Sequence, residues 1–207
     1  NGKLVESDPG GGENVSPEDS KNAALAVVKK YCQLDGEFVR LGNSYQEWFD
    51  LFLQWVEGGS DVVVVIKKYE IGPVKLIGYQ AEVPVTYTIL GEVSTDSFAA
   101  ALPNKQINHE TFKLKRWGGR WGIVKPYGPK AHVFLRPFLQ FSKKEYSRKS
   151  KLYTPQYAEK EVRRGWKKLS PKETDELTIR FKNTHTEELN GKNQLIKQLE
   201  ELSKLQQ

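Results

Sequence analysis

The stretch Lys115 to Pro126, KRWGGRWGIVKP, sets two of the chain's five tryptophans on either side of the pair Gly118-Gly119. Two adjacent glycines between apolar runs predict a two-residue hairpin turn, because both central positions need a left-handed backbone that glycine adopts without strain. Such a turn pairs Trp117 with Arg120, Arg116 with Trp121, Leu114 with Ile123, and Phe112 with Lys125. Cross-strand partners share a face, so Phe112, Leu114, Trp121 and Ile123 form one apolar side. Arg116 beside Trp121 offers a cation–π contact of about 0.5 to 1 kcal/mol. Trp117 falls on the other side with Lys113, Lys115 and Val124, so the two rings serve different faces. The second face needs a cover of its own or becomes an exposed apolar patch.

Working upstream, Tyr79 to Val93 alternates: Ala81, Val83, Val85, Tyr87 and Ile89 share one face and Glu82, Thr86 and Thr88 the other. Pro84 has no N–H for a ladder, which predicts an edge or a bulge there. The run DVVVVIKKYEI is β-branched and almost continuously apolar in its first half, as in a strand covered on both faces. Ahead of it, SPED at Ser16 to Asp19 supplies an N-cap, a proline at the first helical position and an early acid. A helix from there carries Ala24, Val27, Val28, Tyr31, Cys32 and Leu34 on one face and ends or kinks at Gly36. A second helix is read from Ser44 through Trp55 on the stripe Trp48, Phe49, Leu51, Phe52, Trp55, Val56, closed by Gly58-Gly59.

The 207 residues can bury a sizeable core, and no apolar run approaches the roughly 18 residues of a bilayer span. A single cysteine, Cys32, excludes an internal disulfide and a cysteine metal cluster. The net charge of +6 is uneven: residues 142–207 hold 16 Lys and Arg against 10 Asp and Glu, while the rest balances. That seam separates a C-terminal helical part. It has a segment near Phe138 to Lys149, one opening at TPQY and one opening at SPKE, where Ser170, Pro171 and Glu173 fit a capping box. A break at Asn190-Gly191 is expected before a last helix lined by Leu195, Leu199 and Leu202, whose stripe hints at a helical partner and hence a homodimer. The absence of Met together with the opening NGKLVESDPGGGENVSPED suggests a tether behind a removed leader or lipid-anchored cysteine. That reading implies export to the periplasm or beyond, with a disordered cytoplasmic leader as the alternative.

Two helices followed by strands that end in FKLKRWGGRWGIVKP resemble the nuclear-transport-factor-2-like (cystatin-like α+β) superfamily from about Ala23 to Pro126. The resemblance implies an α+β cone, a curved antiparallel sheet wrapped around a helix, with a cavity inside. The expected organisation is a tether at 1–17, this domain at 18–135 and a basic helical extension at 136–207, the last absent from compact members. Many bacterial members are exported proteins of unknown role.

Members resembling steroid isomerases and dehydratases use an Asp, or an Asp and His pair, inside the cone with Tyr donors. Here Asp35 is the matching candidate base, four residues after Tyr31, although an acid beside Gly36 is also common at helix ends for local hydrogen bonding. Tyr31, Trp48, Tyr87 and Trp121 are the candidates for lining a cavity that takes a small apolar ligand, with core packing favoured for any one ring. His109 and Glu110 are read as a solvated pair, and His109, His132 and His185 lack metal-ligand spacing, so no metal or cofactor is expected. Arg148, Lys149, Arg163, Arg164 and Lys167, interleaved with tyrosines and Trp166, could grip a polyanion. Nucleic acid is disfavoured, because nearby acids dilute the field and no nucleic-acid motif is present. The primary expectation is a non-catalytic small-molecule or partner-binding domain; the alternatives are an acid–base isomerase, dehydratase or hydrolase, and a polyanion binder.

Overall fold

The computed structural model describes residues 15–41, 45–54, 61–94, 97–127, 129–166 and 169–206; expectations that fall on the tether through residue 14, on Ser44, Trp55, Val56 and Gly58-Gly59, and on Lys167 lie outside them. Two compact units form, residues 1–92 with 100–134, and residues 93–99 with 135–207.

In the first unit, α1 (Pro17–Gly36) begins as its residues dictate, with the Ser16 hydroxyl accepting from the Asp19 N–H and Pro17 opening the helix. It ends at Gly36, and the chain reverses through Phe38 at φ 66. Residue 36 must lack a Cβ, since one would lie 2.6 Å from the Phe134 ring. The helix α2 (Tyr45–Phe49) is only five residues long. Beyond it, the Leu53 N–H donates to Ile123 O and the Ile123 N–H to Leu51 O, a parallel bridge centred on Phe52 and Ile123. The helix expected to run to Trp55 therefore stops early. An otherwise open strand edge captures the backbone of residues 51–53, and satisfying that edge outweighs two further helical turns.

The strands are β1 (Val62–Ile71), β2 (Lys75–Ile77), β3 (Gln80–Ser94), β4 (Ser97–Ala100), β5 (Ile107–Trp117), β6 (Arg120–Lys125) and β7 (Ala131–Phe134). The sheet order is β6-β5-β3-β1-β7 with β2 alongside β3, and the sheet curls strongly into a half-barrel. It is mixed rather than antiparallel throughout: β7 lies parallel to β1, with Val63 opposite Ala131 and Ile66 opposite Phe134. The reason is the crossing from β6, at one edge, to β7 at the other, which brings the chain back in the direction of β1. The helix α1 packs against both edge strands, so the curled sheet closes around it. Val64, Val65 and Ile66 are consecutively buried, as a strand covered on both faces requires.

The hairpin turns through Gly118 (φ 57) and Gly119 (φ 79), and pairs Trp117 with Arg120, Arg116 with Trp121 and Leu114 with Ile123. Below that a bulge between Lys113 and Leu114 shifts the register, so Lys125 stands opposite Lys113 and not Phe112. Pro84 makes no bulge against β5, where Val83, Pro84 and Val85 face Phe112, Thr111 and Glu110 in unbroken register; the expected edge is local and lies on its other side. A strand residue's N–H and C=O point the same way, and the Pro84 carbonyl accepts from the Gly72 N–H, 2.8 Å away. Its missing donor thus falls opposite residues 72–74, where β1 has already given way to β2.

The second unit holds α3 (Leu135–Leu152), α4 (Pro155–Gly165) and α5 (Pro171–Lys204), with α5 packed on both of the others. Thr154 caps α4, and Ser170 with Glu173 completes the expected capping box of α5. The break at Asn190-Gly191 is absent, because α5 runs through it as one helix of 34 residues. A mid-helix glycine costs about 1 kcal/mol, which burial of Leu195, Ile196 and Leu199 offsets. Leu195 and Leu199 are buried within the chain, so the stripe read as a partner seam is already in use.

Candidate functional site

The inner face of the half-barrel gathers titratable side chains from elements far apart in sequence. Tyr31 and Asp35 share a face of α1 by their four-residue spacing, and both are buried, at 0% and 1% exposure. The Tyr31 hydroxyl donates to Asp35 Oδ2 at 3.4 Å, and the His132 N–H, on β7, donates to the same oxygen at 2.8 Å. The reversal after α1 brings the Arg40 guanidinium to 3.5 Å from Asp35 Oδ1, with its other face 4.5 Å over the Trp48 ring. Asp35 is thus met by a hydroxyl from its own helix, a backbone N–H from β7 and the guanidinium of the reversal.

The His132 ring stacks on Tyr87 at 3.9 Å and 9°, and the Tyr87 hydroxyl lies 3.8 Å from Cys32 Sγ. Burial, and then the positive charge of Arg40, push that imidazole down to about 4, so it is neutral at physiological pH. Burial pushes Asp35 up to about 6 against the opposing pull of Arg40 and its hydrogen bonds. The same desolvation raises the Cys32 thiol to about 12 and drives both tyrosines well above their ordinary range.

Glu110 completes the cluster. It lies on β5 in the inward row with Phe112 and Leu114, and burial followed by the negative charge of Asp35 raises it to about 7. Its Oε2 has no hydrogen-bond partner. The reading of His109 and Glu110 as a solvated pair is thus corrected for Glu110. His109 stays on the outer face, 3.0 Å from Thr86 Oγ1, because alternation separates the two neighbours.

Tyr31, Trp48, Tyr87 and Trp121, proposed as cavity lining, join one buried cluster. Tyr31 meets Phe112 at 4.8 Å and Trp48 at 5.9 Å between ring centroids, and Trp48 meets Phe52 at 4.8 Å. These rings spend their surface on one another. Asp35 sits in the same interior rather than at a solvated rim.

On the outer face, Trp117 stays 52% exposed with the Lys115 ammonium 5.6 Å above its ring. On the same face Ile77, 53% exposed, lies in the row Ile77, Gln80 and Lys115. Lys75, Glu82, Lys113 and Lys125 form the next row in register, Glu82 bridging Lys75 at 3.8 Å and Lys113 at 3.2 Å.

Four of the residues suggested for a polyanion, Arg148, Lys149, Arg163 and Arg164, are paired with acids. Arg148 meets Glu145 at 2.9 Å, Arg163 meets Glu159 at 2.8 Å, Arg164 meets Glu161 at 3.9 Å, and Lys149 pairs with Glu188. Each acid returns charge that a phosphate backbone would otherwise neutralise. Among the described residues, no group of three or more His, Cys, Asp or Glu side chains is placed to hold a metal, and no helix is long and apolar enough to cross a membrane. No family model, no curated protein and no solved structure matches this chain.

Proposed function

We propose that the sheet-bearing unit is a non-catalytic partner-binding module of the nuclear-transport-factor-2-like kind, and that it works through the outer face of its sheet. The observation that carries this reading is the contrast between its two faces. Inside, aromatic rings pack on one another and Asp35 is engaged by Arg40, Tyr31 and the His132 N–H. Outside, Trp117 and Ile77 are half exposed, with the Lys115 ammonium over the Trp117 ring. In the neighbouring row Lys75 and Lys113 share Glu82, and Lys125 adds a further cation. The partner this chemistry fits is a protein segment with an apolar side chain flanked by carboxylates. Export of the chain belongs to the same proposal and rests on the composition of residues 1–19.

The test is a titration with a peptide of alternating Glu and Phe, followed by amide shifts of the sheet. Saturable shifts at Ile77, Lys115 and Trp117, lost in Trp117→Ala and weakened by salt and by Lys113→Glu, support the reading. Absent binding, or binding unchanged in both variants, refutes it. Native mass spectrometry of the purified chain adds an independent check: a co-purifying small molecule lost from Tyr87→Ala would return the function to the interior.

A second reading, an acid–base enzyme, draws on Glu110 near 7 with an unpartnered Oε2 beside Asp35 near 6. It requires exchange of the α-hydrogens of an enolisable ketone in deuterated water that Glu110→Gln abolishes. No exchange above the rate in buffer rejects it.

A further inference from the structure

We propose that the helical unit carries a separate binding site for a single-ring aromatic compound bearing a hydroxyl group. The site is the cleft of about 200 Å³ between α4 and α5, lined by Tyr153, Tyr157, Ala158, Phe181, His185 and Thr186 among others. An apolar cavity of about 150 Å³ suffices for benzene, so this cleft has room for one substituted ring.

Its walls are aromatic and mutually braced. The His185 ring lies 3.8 Å from Tyr153 and 4.0 Å from Phe181, and Tyr157 stands 5.9 Å from Tyr153 and 6.3 Å from Phe181. The Tyr153 hydroxyl donates to Glu188 Oε2 at 3.2 Å, and Glu188 is held in turn by Lys149 and by Lys192 at 4.0 Å. Tyr153 is thus fixed before any ligand arrives, which lowers the ordering cost of binding. Ring faces at these spacings suit stacked or edge-on contact with another ring.

The hydroxyl follows from His185. Its Nδ1 is buried and has no hydrogen-bond partner. In the tautomer that carries its proton on Nε2, Nδ1 is an acceptor without a donor, so an occupant that brings an O–H to His185 gains over one that does not. The geometry points to a phenol rather than to an alkyl alcohol, whose ring would forgo the aromatic contacts.

Three probes of matched size separate these features: phenol, benzene and cyclohexanol, titrated into the full chain and followed by aromatic and amide shifts. Phenol is expected to bind one to one, shifting Tyr153, Tyr157, Phe181 and His185, about tenfold tighter than benzene for one added hydrogen bond. Cyclohexanol is expected to bind weaker still. His185→Phe should bring phenol and benzene to equal affinity, and Ala158→Leu should weaken both by filling the cleft. Shifts scattered away from α4 and α5, cyclohexanol equal to phenol, no binding of phenol, or a preference that survives His185→Phe each overturns the proposal. Where Ala158→Leu loses helical circular dichroism, the His185→Phe comparison decides alone.

Discussion

Replacing Glu110 by Gln should stabilise the first unit at pH 8 and leave it nearly unchanged at pH 4. Glu110 titrates near 7 in the folded chain against an ordinary 4.5, chiefly because burial disfavours its charge. The unfolded chain therefore releases this proton earlier, the folded state holds it longer, and stability falls as pH rises between about 4.5 and 7. At about 1.4 kcal/mol per unit the full penalty is about 3 kcal/mol; allowing for the water that still reaches the side chain, about 2 kcal/mol is expected. The amide lacks the titration and therefore the penalty.

Asp35 and His132 titrate in the same range and must be separated. Asp35 is also raised, to about 6, so its contribution is likewise lost as pH rises. His132 is lowered to about 4, so its contribution is present above its ordinary 6.5 and lost as pH falls. His132 remains in both proteins and cancels from the difference, which reports Glu110 together with its coupling to Asp35. The assay is urea unfolding followed by tryptophan fluorescence in a Trp166→Phe background, where the four remaining tryptophans all lie between residues 48 and 121. A stability difference that stays constant from pH 4 to 8, or a variant weaker than its parent at pH 8, would refute the assignment of Glu110 to the desolvated inner face.

Asp35→Ala should cost about 3 to 5 kcal/mol at pH 7, because it strips the carboxylate from a buried guanidinium, read as a lower urea midpoint of the first unit. Gly122→Ala should cost about 1 to 3 kcal/mol, since a Cβ there would come within 2.6 Å of Leu53 Cγ; faster amide exchange at Leu53 and Ile123 would show residues 51–53 leaving the edge of β6. Ser170→Ala should cost about 1 kcal/mol and speed exchange at Glu173 and Thr174 while leaving the first unit untouched.

How far the sequence was readable depends on the distance over which each feature is decided. The start of α1, the capping box of α5, and the turn at Gly118-Gly119 are settled within four residues, and all three form as their residues predict. The bulge after Lys113 leaves no mark in residue types, because an inserted residue changes pairing without changing composition. The early end of α2 depends on Ile123, some seventy residues later, whose free backbone groups claim Leu51 and Leu53. Within the site, Asp35 was legible through its spacing from Tyr31. Glu110 carried a usable signal, its parity with Phe112 and Leu114, that the reading of it as a solvated pair passed over. Arg40 and the His132 N–H were beyond reach: one arrives by the reversal at Phe38, the other from a strand 97 residues away.

That long reach also indicates what the buried pair is for. An ion pair sealed from water is weak evidence for stability, because desolvation opposes the attraction. What Asp35 supplies is position: it ties the last turn of α1 to the backbone of β7 through His132 and to the following reversal through Arg40. Apolar side chains could fill the same space, yet they would leave the end of the helix free to slide along β7. The double exchange Asp35→Leu with Arg40→Met should therefore keep the urea midpoint within about 1 kcal/mol while accelerating amide exchange at His132 by tenfold or more. Unchanged protection of that amide would mean that aromatic packing alone sets the register of helix and strand, and would remove the reason for keeping charge in this core.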